Sequence, residues 1–251
     1  MLRDLIALIR SLIIYRFRPK HQASLKQLYE PFVKAGDLAF DVGAHAGDRT
    51  ACLRKLGARV VSIEPQAMFA AFLRATNAPY RDVTVLSCVL SNTAGPKTLH
   101  INSRNPTVST VSDGFVKAAT SGAVGWQGQT WDRSVKVQAR TLDDLIAQYG
   151  VPAFIKIDVE GAEYDVLCGL SQAVAALSFE FTMIQRELAH DCVDRCVSLG
   201  LGEFNLSMGE SHRLEYEHWI DANQLKARLD ELPEQANSGD IYVRSSNHPP
   251  N

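Results

Sequence analysis

Little in this chain suggests a charged or membrane-spanning surface. There is almost no net charge: 26 Lys and Arg stand against 28 Asp and Glu. No long-range field gathers a polyanion, and no basic cluster replaces one, so nucleic acid is not an expected partner. No CxxC pair occurs. Cys52, Cys88, Cys168, Cys192 and Cys196 are an odd number in apolar contexts, which reads as reduced, buried thiols of a cytoplasmic protein and not as a disulfide framework. Cys192 and Cys196 lie one helical turn apart without the second pair or nearby histidines that a tetrahedral zinc site needs. The apolar run at residues 1–14 is broken by Arg3, Asp4 and Arg10, short of the roughly 20 residues of a membrane span, and no small-residue cleavage site follows it. Internal repeats, low-complexity blocks and interdomain linkers are also missing. What remains is 251 residues, 46% hydrophobic, enough for one domain with a sizeable core.

The organising stretch is Asp41-Val42-Gly43-Ala44-His45-Ala46-Gly47-Asp48. Residues 38–42 read as a buried strand that runs through a glycine loop into a helix at 48–56, closed by Gly57. Residues 60–64 form a second strand ending in Glu64, which Pro65 stops. Strand, glycine turn, helix and strand make one βαβ unit of an open, mostly parallel α/β sheet. A helix at 66–74 and a third strand at 83–89 follow. Residues 98–101 and 135–139 read as an inserted hairpin, with a long Ser-, Gly- and Trp-rich loop between them. Thr141 reads as the N-cap of another helix, with Asp144 three residues on. Residues 154–161 repeat the opening logic of apolar strand, acid, glycine and helix. Strands at 177–181 (carrying Glu180), 204–208 and 241–244 and a helix at 190–199 complete the expectation. The segment Asn77-Ala78-Pro79-Tyr80 reads as a turn.

Ahead of this domain, Leu2, Leu5, Ile6, Ile9, Leu12 and Ile13 recur at helical spacing. They predict an amphipathic helix that packs on the domain, joins a second copy in a homodimer, or contacts a membrane surface through residues 1–20. A second helix is expected at 23–32. The divisions are an N-terminal helical extension at 1–34, the main domain at 35–246 with an insertion at 96–140, and a frayed polar tail at 247–251.

A small ligand is expected at the glycine loop. A dinucleotide fingerprint needs glycine at the first, third and sixth positions, and here the latter two are His45 and Asp48. A carboxylate at a helix entrance repels phosphate, which disfavours a nicotinamide oxidoreductase. A ligand with a carboxylate, an ammonium group and a ribose fits better. Backbone N–H groups from Gly43 through Ala44, His45 and Gly47 can receive the carboxylate, and Asp41 the ammonium. Glu64 lies at the adjacent strand tip, where it can accept both ribose hydroxyls. S-adenosylmethionine has these parts. The plainer readings are a buried acid bracing the turn for Asp41, a solvated strand end for Glu64 and a turn residue for His45.

The blocks Asp41 to Gly47, Ser62-Ile63-Glu64-Pro65, the stretch ending Thr141-Leu142-Asp143-Asp144-Leu145, and Lys156-Ile157-Asp158-Val159-Glu160-Gly161-Ala162-Glu163 together resemble the FkbM family of S-adenosylmethionine-dependent methyltransferases. The resemblance implies a Rossmann-like class I methyltransferase fold, with a mostly parallel seven-stranded sheet and an antiparallel closing strand. It also implies bound S-adenosylmethionine and methylation of a hydroxyl on a sugar or natural-product acceptor. Many class I enzymes carry an acid after strand three; here Ser87 and Cys88 stand there, so adenine is expected against backbone, apolar and thiol groups.

Asp158 ends a strand beside the glycine loop and is the first candidate for the base that takes the hydroxyl proton, or for an acid that orients the acceptor. Lys156 shares its face by the two-residue strand period and favours its ionised form. Glu160 is the third catalytic candidate, although Glu160 and Glu163 can also serve as helix caps. Two carboxylates can hold Mg²⁺, but without a third clear ligand no metal set is assigned. A binding module without catalysis is the competing class. Arg104, Trp126, Trp131 and Arg133 can either contact a sugar or simply pack.

Overall fold

Alternation along the first strand decides which layer covers each face of the sheet. In β1 (Leu38–Val42) all five residues are buried. Leu38, Phe40 and Val42 enter the larger core cluster, whereas Ala39 enters a second cluster with Leu25, Leu28 and Tyr29 of helix α1 (Pro19–Tyr29). A strand covered on both sides must be apolar on both, so Asp41, on the Ala39 face, is set apart from its neighbours.

The computed structural model describes residues 19–246. The helix expected at 2–13 and the tail at 247–251 lie outside the described residues. After β1 come α2 (Asp48–Lys55), β2 (Arg59–Ile63), α3 (Ala67–Asn77) and β3 (Val83–Leu86). The backbone N–H of Tyr80 donates to Asn77 O at 2.8 Å, the turn expected there. The insertion contains β4 (Val89–Leu90), β5 (Gly95–Ile101), α4 (Asp113–Thr120) and β6 (Arg133–Arg140). Then follow α5 (Leu142–Tyr149), β7 (Phe154–Ile157), α6 (Glu163–Cys168), β8 (Ala176–Thr182), α7 (Arg186–Ser198), β9 (Glu203–Met208), α8 (Ala222–Glu231) and β10 (Ser238–Arg244).

The main sheet has seven strands in the order β3-β2-β1-β7-β8-β10-β9. All neighbours are parallel except β10, which pairs antiparallel with both β8 and β9. This is the Rossmann-like arrangement of class I methyltransferases with its antiparallel closing strand. Strand order reverses between β1 and β7, which opens a crevice at their carboxyl ends.

Three local expectations change. The third strand stops at Leu86, and Val89 and Leu90 leave the main sheet to pair with Ala139 and Arg140 of β6. They begin a separate three-stranded sheet, β4-β6-β5, in which β5 and β6 are antiparallel. The loop from 102 to 133 holds the helix α4, whose Ser112 cap accepts from Phe115 N and whose Phe115 and Ala119 are buried. Helix α8 is capped reciprocally by Asp221 and Gln224. The five cysteines are free, and no helix among the described residues is long and apolar enough to cross a membrane.

Candidate functional site

The glycine loop is braced from within. Gly43 and Gly47 have φ of +85° and +76°, a left-handed region open to glycine. A Cβ at Gly43 would lie 1.8 Å from the carbonyl oxygen of Asp158, so the loop touches the end of β7 directly. The amides expected to receive a carboxylate are engaged. Gly43 N and Ala44 N both donate to Ile63 O, His45 N donates to Glu64 Oε2, and Gly47 N donates to Ala44 O. The expectation that these amides of the loop cradle an anion is therefore corrected: the tight turn spends them on β2 and on itself.

Glu64 is only 2% exposed. Oε2 accepts from His45 N at 2.8 Å and Oε1 from Gln66 N at 2.7 Å. Burial pushes its carboxyl up to about 7, against the pull of those two N–H groups. Each oxygen keeps a further lone pair for a ligand hydroxyl, and Glu64, with Pro65, lines the cavity. Asp41 does not. It is fully buried, and Thr50 Oγ1 of α2 donates to its Oδ2. Burial raises it to about 6. The role of ammonium acceptor is corrected to that of a brace between β1 and α2, because the alternation of β1 turns residue 41 toward the helix layer. Burial lowers His45 to about 4, and its ring lies against Phe69, centroids 4.2 Å apart.

Asp48 has a partner that sequence reasoning missed. Arg49 Nη1 donates to its Oδ2 at 2.9 Å, and His21 Nε2 stands 3.0 Å from the same oxygen. Burial alone would raise the Asp48 carboxyl, but Arg49 and His21 hold it below its ordinary range. Arg49 Nη2 is 3.6 Å from Glu210, while its Nε is closed to solvent and lacks a hydrogen-bond partner among the described residues. Asp48, Arg49 and Glu210 all line the cavity.

The opposite wall is acidic. Asp158 follows β7, Glu160 sits two residues on with φ +55°, and Glu180 comes from β8; all three line the cavity. Lys156 is fully buried behind them and does not. Its Nζ donates to Asp240 Oδ1 at 2.7 Å and to Ile157 O at 3.1 Å, and lies 3.4 Å from Asp158 Oδ2. Burial disfavours its charge, yet Asp158 and Asp240 outweigh that and raise the ammonium above its ordinary value. Lys156 is therefore off the cavity wall, with its charge directed at Asp158 and Asp240. Glu163 is a cap: its carboxylate accepts from Val159 N and Gly161 N.

The cavity between these walls has a volume of about 330 Å³, the size of a small-ligand pocket. The insertion roofs it. Gln66 Nε2 donates to Pro106 O, and Thr110 Oγ1 donates to Glu160 O at 2.7 Å. Trp126, 8% exposed, lines the roof and meets Phe115 edge-on at 5.1 Å. Trp131 packs beneath it, its Nε1 donating to Val108 O. Arg104 and Arg133 are exposed. Of the expected cofactor set, Gly43, Ala44, His45, Glu64, Pro65, Cys88 and Asp158 reach the cavity wall. Asp41, Gly47 and Ser87 do not; Ser87 is exposed and accepts from Arg74 Nη2 at 2.6 Å.

Residues 41–224 match the family model described as "Methyltransferase FkbM domain". A comparison with curated proteins finds no match. Among solved structures, the chain is similar to a precorrin-6y C5,15-methyltransferase from Geobacter metallireducens, at 9% identity and TM-score 0.46, over 92% of this chain and 91% of that one. It is also similar to an O-methyltransferase from Bacillus cereus in complex with SAH, at 11% identity and TM-score 0.46, over 96% and 91%. A SAM-dependent O-methyltransferase from Thermotoga maritima matches at 11% identity and TM-score 0.44, over 95% and 71%. At these scores the likenesses add no argument to the strand order itself.

Proposed function

The chain belongs to the FkbM methyltransferase family, and from that premise we propose that it methylates a hydroxyl oxygen of a small acceptor, a sugar or natural product. It is a S-adenosylmethionine-dependent methyltransferase, and the finer reading rests on one observation. Glu64 and Asp158 stand on two walls of one cavity, after the strands that flank β1.

The residues present suit the methyl donor. Glu64 offers its free lone pairs to ribose hydroxyls, and the Arg49 guanidinium on the cavity wall suits the methionine carboxylate. Cys88, Val89 and Leu90 form an apolar wall for adenine. S-adenosylmethionine, when bound, supplies an electrophilic methyl group on sulfur. The chain's own part is to align the acceptor oxygen and to remove its proton. Asp158 takes that proton: its side chain is 25% exposed, it lines the cavity, and Lys156 gives it a counter-charge from behind. Glu160 and the roof residue Trp126 orient the acceptor.

Calorimetry with S-adenosylmethionine tests the donor site. Glu64→Ala removes two charge-assisted acceptor contacts and is expected to weaken binding by about 2–4 kcal/mol; unchanged affinity refutes the assignment. Asp158→Asn is expected to keep donor binding and lose turnover at neutral pH. Normal turnover by that variant refutes the proton-acceptor role.

A further inference from the structure

Asp158, Glu160 and Glu180 come from two neighbouring strand ends, and one carboxylate oxygen of each lies within 4.8 Å of the others. Among the described residues no side chain or backbone N–H donates to the carboxylate of Glu160 or Glu180, and the cation paired with Asp158 is Lys156, already bonded to Asp240 at 2.7 Å. Glu180 Oε2 is closed to solvent and has no hydrogen-bond partner among the described residues. A carboxylate oxygen removed from water without a donor is costly, and three carboxylates turned to one point repel one another.

We propose that Asp158, Glu160 and Glu180 form a binding site for a hard divalent cation such as Mg²⁺, Mn²⁺ or Ca²⁺ on the acceptor wall of the cavity. Such ions take carboxylate oxygens as ligands. Two oxygens on one Ca²⁺ at about 2.4 Å can be no more than about 4.8 Å apart, a limit that every pair among these three oxygens respects. All three ligands line the cavity, so the positions they leave open face the space where an acceptor binds, and hydroxyl oxygens of the acceptor can complete the coordination. The cation neutralises Glu180 without disturbing the Lys156–Asp240 pair. The other cluster of candidate ligands, His21, Glu210 and His212, is closed by its own hydrogen bonds to Asp48 and Ser24 and has no such deficit.

The site goes beyond the methyl-transfer reading and is tested without activity. The full chain is stripped with chelator, desalted and titrated with Mn²⁺ by electron paramagnetic resonance and with Ca²⁺ by calorimetry and thermal unfolding. Saturable binding of one equivalent is expected, with a melting temperature raised by Ca²⁺. Glu180→Gln is expected to weaken binding by at least about tenfold and to melt in chelator no lower than the wild type, since it relieves repulsion. Should that variant fail to fold, Glu160→Gln provides the same comparison. Failure of the wild type to bind either ion at millimolar concentration overturns the proposal, as does wild-type affinity in the substituted chain. Binding that persists when turnover fails for every acceptor leaves the cation site standing and refutes only the methyl-transfer reading.

Discussion

Gly43→Ala is the sharpest test of how the glycine loop and the acidic wall are joined. Two costs add. The backbone at Gly43 has φ +85°, and an L side chain in the left-handed region costs about 1–2 kcal/mol. The added Cβ would also sit 1.8 Å from Asp158 O and 2.9 Å from its carbonyl carbon, so the end of β7 must retreat by more than about 1 Å, a form of overpacking that costs about 1–3 kcal/mol. The sum is about 2–5 kcal/mol. Gly122 separates the two terms, because it shares the strained backbone at φ +90° but has nothing within 4 Å of a built Cβ. Gly122→Ala is expected to lose only about 1–2 kcal/mol. Urea unfolding midpoints of the three chains measure the difference, and calorimetry with S-adenosylmethionine on the folded fraction of Gly43→Ala reads the displaced loop as weaker binding. Equal stability losses in the two variants, together with wild-type affinity in Gly43→Ala, would refute the reasoning.

Two further outcomes follow from buried charge. Asp240→Ala leaves the fully buried Lys156 with Asp158 as its single carboxylate and is expected to cost about 3 kcal/mol or more in urea unfolding; a loss below about 1 kcal/mol contradicts the pairing. Glu64 gives a pH dependence. The unfolded chain releases this proton near its ordinary value, 4.5, and the ligand-free fold near 7. Between those values the fold holds more protons, so this group's share of ligand-free stability falls as pH rises, by up to about 3 kcal/mol. Donor affinity moves the other way, because the ionised carboxylate is the better acceptor for ribose. Dissociation constants by calorimetry are expected to rise by several-fold from pH 8 to pH 6, and a flat profile that persists in Glu64→Ala would show that Glu64 is not the linked group.

The parallel core of the sheet was legible because burial on both faces leaves largely apolar runs, as in residues 38–42 apart from Asp41 and 154–157 apart from Lys156, each with an acid and a glycine at or near its carboxyl end. The edges were less so. Val83 to Val89 looks like one strand, and only pairing with the distant β6 shows that Val89 and Leu90 belong to another sheet. At the site, Asp41 misled for a related reason. It occupies the position of a ligand contact in the motif, but strand alternation faces it into α2. Arg49 stood next to Asp48 in plain view, yet its importance depends on Glu210, some 160 positions away, reaching the same cavity. Glu180 was read as a strand residue; nothing in the sequence puts it beside Asp158, which requires β7 and β8 to pair in a particular register.

The place of β10 between β8 and β9 bears on the order in which a growing chain can become competent. During synthesis the first six strands of the main sheet exist before the seventh, yet β9 has no partner until β10 arrives, since β10 is the strand that hydrogen-bonds to it. The same late strand delivers Asp240 to Lys156, and Asn237 and Ser238 to the cavity wall. A nascent chain stalled before residue 238 therefore carries the glycine loop and all three wall carboxylates, with Asp158 as the single carboxylate partner of Lys156. Ribosomal emergence of one short strand thus separates a chain that can hold the donor half of its pocket from one that has a finished acceptor wall.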